Sequence, residues 1–200
     1  MNVSLIASGV LLGCVLFVLL RDRGVTISDD GGVIDTAADF LETWDMTNAE
    51  ALNNPNVRAF LQLVRKGEGT ADDGGYRRLV GGGSFASFAD HPRQSVWIAR
   101  IGDYSTAAGA YQFRSKTWDM ARLQAGLSDF SPASQDLAAV QLIRNRGALA
   151  DVLAGRISTA LEKCSWEWAS LPPWRYSKQG TLTMDAALTA FANYGGRAYV

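Results

Sequence analysis

One acidic side chain stands where helix electrostatics disfavour it, which raises the question of whether it does chemistry. Glu68 lies between two glycines in VRKGEGTADDGGY, residues Val64–Tyr76. Before it, Val57, Phe60, Leu61 and Val64 recur at the i, i+3, i+4, i+7 spacing of a core-facing helix stripe. Continuing that stripe by four reaches Glu68, which places it on the inward face in the last turn. The C-terminal end of a helix carries partial negative charge, and apolar surroundings disfavour a carboxylate, so both effects raise the pKa of this carboxyl. A carboxyl that keeps its proton near neutral pH is a general acid, suited to protonating a glycosidic oxygen. Gly67 and Gly69 would leave room for a bulky sugar chain to approach. The alternative is a capping glutamate, or one paired with Arg65 or Arg77, and spacing alone makes that the more ordinary reading. Asp72 and Asp73 lie close enough in sequence to offer a second carboxylate. Their Gly-bounded setting reads more simply as a solvated turn.

The elements that must position Glu68 are mostly helical. Asn54-Pro55 is a strong helix start, with Asn as N-cap and Pro at the first helical position, so the globular domain is expected over 54–200. After Glu68 comes YRRLVGGGSFASFADHPRQSVWIARIG, glycine-rich with aromatic and β-branched residues, which predicts a small irregular antiparallel lobe. Further helices are expected in SKTWDMARLQ, in ASQDLAAVQLIRNR after Ser131-Pro132, in ALADVLA, in ISTALEKCSWEW and in TMDAALTAFANY. Gly147, Gly155 and Gly195 stand where helices should stop. The fold class is therefore α+β, mainly α.

The N-terminal region is of a different kind. Residues 3–20, VSLIASGVLLGCVLFVLL, carry no charge, and at ~1.5 Å per residue they make ~27 Å of helix, close to the hydrocarbon thickness of a bilayer. Residues 1–20 are expected to be a single, uncleaved transmembrane anchor. Residues 21–53 read as an acidic linker with a short amphipathic helix in DTAADFLETWDM. Residues 1–52 hold two arginines against eight acids, whereas residues 53–200 hold 17 Lys and Arg against 12 acids. The mildly basic domain suits an anionic partner, cell wall or nucleic acid, without choosing between them.

Composition excludes several chemistries. The only histidine is His91, and the two cysteines, Cys14 and Cys164, sit in an apolar run and a helical pattern. A disulfide framework, a Cys/His zinc site and a Ser-His-Asp triad have little to work with. His91 itself is expected to be structural.

Five blocks carry a resemblance. VRAFLQLVRKGEGT, VGGGSFASFADHPR, TAAGAYQF, GLSDFSPASQDLAAVQLIRNRGAL and EKCSWEWASLP follow one another between Val57 and Gly196. In that order they resemble the blocks of the phage lambda-type endolysins, peptidoglycan lytic transglycosylases of the lysozyme-like superfamily. The resemblance implies a lysozyme-like fold and cleavage between N-acetylmuramic acid and N-acetylglucosamine, with Glu68 as the single acid and base and a 1,6-anhydro product. It implies no cofactor and no metal, glycan strands as partner and no nucleic acid. Tyr111 and Gln112 match the family's GxYQ block and are expected to line the saccharide cleft, where an amide can both donate and accept. Ser84 and Phe85 of GGGSF would form its upper lip, and Trp168 would stack on sugar faces or fill the core.

This chain departs from the family in three ways. The segment between Glu68 and the VGG string is shorter, Gly83 stands where the family has an acid, and a membrane segment is added. The expected protein is a membrane-anchored phage enzyme with its catalytic domain facing the wall. It would serve either as a virion-associated wall-drilling protein, with phage structural proteins as partners, or as a lysis enzyme. A hydrolysing lysozyme on the same fold and a wall-binding protein without activity are the alternatives.

Overall fold

The computed structural model describes residues 45–99, 101–175 and 182–199. The expected anchor over 1–20 and most of the expected linker lie outside these residues. Among the described residues no helix is long and apolar enough to cross a membrane.

Helix α1, Asn48–Ala51, was not expected. Thr47 and Glu50 form a reciprocal capping box, each side chain bonding the other's backbone N–H. Ala51 is fully buried, and the Asn48 amide donates to Gln141 Oε1 at 2.9 Å. The domain thus begins before the expected boundary at 54, because these residues pack onto a later helix instead of remaining a solvated tether.

Helix α2, Pro55–Gly67, starts where expected: Asn54 accepts the Asn56 N–H at 2.8 Å, with Pro55 at the first position. Val57, Phe60, Leu61 and Val64 are all buried. A hairpin follows, made of β1, Val96–Ile98, and β2, Asp103–Ser105, paired antiparallel with Trp97 opposite Tyr104. Isolated bridges at Arg78–Ser84, Leu79–Ala108 and Ala108–Phe113 complete the irregular lobe.

The helical body continues with α3, Ser115–Ala125, and α4, Pro132–Asn145, which is capped by Ser131. Helix α5, Leu149–Ala154, ends on Gly155 at φ +79. Helix α6, Ile157–Cys164, is shorter than its sequence pattern, because the chain turns after Ser165 and sends the Trp168 indole N–H to the Tyr111 carbonyl at 3.1 Å. Helix α7, Met184–Asn193, starts from the Thr183 cap. Helix α2 packs against α4, α5 and α7 and so runs through the centre of the body. Phe113, Trp118 and Phe130 meet edge to face in the core, with Trp118 and Phe130 centroids 4.6 Å apart. Each such buried ring contributes about 1.5–3 kcal/mol through burial.

Candidate active site

Glu68 is the residue on which α2 ends. It is the C-cap, one position past the last helical residue, and it is half-buried, not enclosed as the continued stripe predicts. Its carboxylate Oε1 accepts a hydrogen bond from the Ser170 hydroxyl at 2.6 Å. A Cβ built at Gly67 would lie 2.7 Å from Ser170 Oγ. Gly67 is therefore not clearance for a sugar; it is the gap that Ser170 fills to reach the carboxyl. At Gly69 φ is +69 and nothing lies within 4 Å of where a Cβ would be, so the space beside it is open.

The residues after Glu68 are clamped from behind. Thr70 is fully buried, and its hydroxyl donates to the Ala110 carbonyl and, at 3.2 Å, to the Arg65 carbonyl. Arg65 is buried, not paired as an expected partner of Glu68 would be. Its guanidinium donates to the Thr70 carbonyl at 2.9 Å and the Asp72 carbonyl at 2.9 Å, and sits 4.5 Å over the Tyr76 ring. Arg77 in turn covers the Phe88 ring and donates to the carbonyls of Phe85 and Ala86. A Cβ at Gly75 would lie 1.9 Å from the Thr70 carbonyl oxygen, so only glycine lets the loop fold back this closely.

A half-buried carboxylate anchors the clamp. Asp136 Oδ1 accepts hydrogen bonds from the hydroxyls of Tyr76 at 2.8 Å and Tyr111 at 2.6 Å. Burial pushes the Asp136 carboxyl above the usual range, against the two hydroxyls and the Arg65 charge, which favour its ionised form. Burial and the Asp136 charge push the Tyr76 phenol up to about 12, and Tyr111 is raised for the same reasons. Tyr111 is thus a core residue, 2% exposed, and not the cleft-lining residue that the sequence predicts.

The cleft in front of Glu68 has a volume of about 410 Å³. Gly67, Glu68, Gln112, Trp168 and Ser170 line one side, and Ile98, Ile101, Asp103 and Tyr104 of the hairpin line another. Gln112 is at the cleft as expected, but its amide N–H₂ donates to the Gly109 carbonyl at 3.0 Å and holds a backbone at φ +49. Trp168 also lines the cleft, although it is only 3% exposed. Ser84 and Phe85 do not line it: Ser84 is exposed on the bridge to Arg78, and Phe85 is buried against Phe88 and Phe130.

Two acids that sequence reasoning missed face this cleft, Asp103 and Glu167. Glu167 is bound by Arg146 at 2.6 Å, and Asp103 is an exposed strand residue that accepts the Tyr104 N–H. Asp72, a candidate second acid, instead pairs with Arg78 at 2.7 Å in the solvated turn, and Asp73 is exposed.

His91 is structural. Its Nε2–H donates to the Phe113 carbonyl at 2.8 Å and Nδ1 accepts the Arg93 N–H at 3.0 Å, which requires the neutral ring. Burial lowers its pKa accordingly. Cys164 is buried and its thiol pKa is raised well above the usual range, so it is no nucleophile. Among the described residues no group of His, Cys, Asp and Glu is placed to hold a metal.

A mainly helical body, a small hairpin lobe and a glutamate ending the central helix at the cleft between them define the lysozyme-like class. The solved lysozyme of bacteriophage lambda in complex with a chitohexasaccharide superposes with a TM-score of 0.68 at 39% identity, covering 73% of this chain and 97% of that one. A second solved lysozyme from bacteriophage lambda gives 0.65 at 38%. The Endolysin family profile matches residues 58–198, and the chain belongs to that family. It is 42% identical to the endolysin of Escherichia phage lambda over 72% of this chain and 93% of that protein. It is 40% identical to the endolysin of Escherichia phage P2 over 70% and 93%.

Proposed function

We propose that this protein is a peptidoglycan lytic transglycosylase in which Glu68 carries both proton transfers. The observation that supports it best is the pairing of Glu68 with Ser170 at the cleft. A hydroxyl donates to a carboxylate and accepts from a carboxylic acid, so one neighbour serves Glu68 in either protonation state. Protonated Glu68 gives its proton to the oxygen between muramic acid C1 and the next sugar, and the C1–O bond breaks. The 6-hydroxyl oxygen of the same muramic acid then bonds C1 and returns its proton to Glu68. The product is a 1,6-anhydro sugar and no water is consumed. The related lambda lysozyme bound to a chitohexasaccharide supports a β-1,4-linked N-acetylated glycan as the substrate class.

Hydrolysis by a muramidase route is the second reading, favoured by the presence of Asp103 and Glu167 at the same cleft. Mass spectrometry of digested peptidoglycan separates the two: anhydro ends are expected, and reducing muramic ends would establish the hydrolase. A wall-binding protein without activity is the third, and a parent chain that binds peptidoglycan but releases no muropeptides would establish it.

Residues 3–20 anchor the enzyme in a phage or bacterial inner membrane, with the catalytic domain facing the periplasm and wall. The uncharged run supports this. Alkaline carbonate should leave the full chain in the membrane pellet and release a chain lacking residues 3–20. Recovery from purified virions would assign a wall-drilling role, and recovery only from lysing cells a lysis role.

A further inference from the structure

Gly81 reveals which face of the hairpin turns inward. A Cβ built there would lie 3.4 Å from Val96 Cγ1 and 4.0 Å from Ile98 Cδ1. Side chains alternate along a strand, so Trp97 and its register partner Tyr104 fall on the opposite face. They are 54% and 57% exposed, and their rings meet edge to face at 5.2 Å and 67°. Neither the Trp97 indole N–H nor the Tyr104 hydroxyl has a hydrogen-bond partner among the described residues. The pair is continuous with the cleft, because Tyr104 itself, with Asp103 and Ile101, lines the space in front of Glu68.

We propose that Trp97 and Tyr104 form a distal saccharide subsite, holding a pyranose ring of the glycan strand beyond the rings seated next to Glu68; this rests on the glycan-cleaving reading above. The chemistry fits one occupant. The C–H face of a pyranose is apolar and stacks on an aromatic ring, while its hydroxyl and acetamido groups can bond the indole N–H, the phenol O–H and the Asp103 carboxylate. Tryptophan and tyrosine also suit the headgroup level of a bilayer. Asp103, adjacent to Tyr104 and exposed, repels anionic headgroups, and contiguity with the cleft favours the glycan.

The test compares β-1,4-linked N-acetylglucosamine oligomers of three and six sugars, titrated into the full chain and followed by calorimetry and by the Trp97 indole N–H resonance. The six-sugar oligomer should shift that resonance in the parent protein and the three-sugar oligomer should not. In Trp97→Ala the ratio of six-sugar to three-sugar affinity should fall about 3- to 10-fold, the size of one stacking contact. Trp97→Phe should restore most of it and guards against loss of the hairpin. An unmoved resonance, an unchanged ratio, or Trp97-dependent binding to phosphatidylglycerol vesicles in place of the oligomer would overturn the subsite. Release of muropeptides by the parent is scored separately. A parent that releases none overturns the glycan-cleaving reading, whereas an active parent with an unchanged ratio overturns the subsite alone.

Discussion

The turn that carries Glu68 is tied to the helical body by buried side chains: Thr70 to the Ala110 carbonyl, Arg65 to the Thr70 and Asp72 carbonyls, and Ser170 to the carboxyl itself. The hairpin that shares the cleft is held by three residue pairs and shows Trp97 and Tyr104 to solvent. One side is built to fix an atom, and the other to offer a surface. Proton transfer depends steeply on position, and small displacements are costly there, whereas binding a long polymer tolerates a softer and more variable wall. The same contrast explains why buried polar groups gather behind Glu68. A loop that must not move has its carbonyls satisfied by side chains that cannot reach solvent.

The largest effect should come from the carboxyl. Glu68→Gln keeps an acceptor for Ser170 but cannot give or take the proton, so wall-clearing activity measured by turbidity should fall about 10²- to 10⁴-fold with the fold intact. Next is the clamp. Arg65→Ala leaves the carbonyls of Thr70 and Asp72 without their buried donor and should lower unfolding free energy in urea by about 3 kcal/mol. Trp97→Ala, on the exposed wall, should stay within about 0.5 kcal/mol. Equal losses at the two positions would break the contrast between floor and wall.

A smaller effect tests Gly67. In Gly67→Ala the added methyl meets Ser170 Oγ, while helix propensity improves, so stability should change by less than about 1 kcal/mol. Activity should nevertheless fall about 10- to 100-fold through displacement of the serine. Loss of stability without loss of turnover would show that the contact is only packing. The smallest effect concerns His91. Burial holds its folded pKa below the ordinary 6.5, so as pH falls through 6.5 the unfolded chain takes up the proton first and stability drops. Thermal melts at pH 7.5 and 5.5 should show a larger fall for the parent than for His91→Gln, whose amide can still donate to the Phe113 carbonyl. Identical falls would remove His91 from the account.

Much of the body was legible because its signals are local. Asn54-Pro55, Ser131-Pro132 and the stripe from Val57 to Val64 each depend on residues within a few positions of one another. The same kind of signal, Thr47 with Glu50, went unread because the acidic region around it pointed to a linker. The site was legible only in part. Glu68 stood out through its spacing and its glycines, but its partner Ser170 is 102 residues away in sequence, and no local pattern joins them. Gly67 was rightly singled out for the wrong reason, since empty space and space filled by a distant hydroxyl look alike in one dimension. The expectation of Tyr111 in the cleft rests on the match to the GxYQ block; the half-buried Asp136 that accepts its hydroxyl lies 25 residues further on, and no local pattern joins them. Trp97 and Tyr104 face out together only because the hairpin register pairs them.

The central claim, that Glu68 alone moves both protons and no water enters the reaction, has a direct test. Peptidoglycan should be digested by the full chain in heavy-oxygen water and the muropeptides weighed. Anhydro-muramic ends that carry no label are the expected product. Reducing muramic ends with one heavy oxygen each would contradict that claim and establish hydrolysis, with Asp103 and Glu167 the carboxylates at the cleft to replace next.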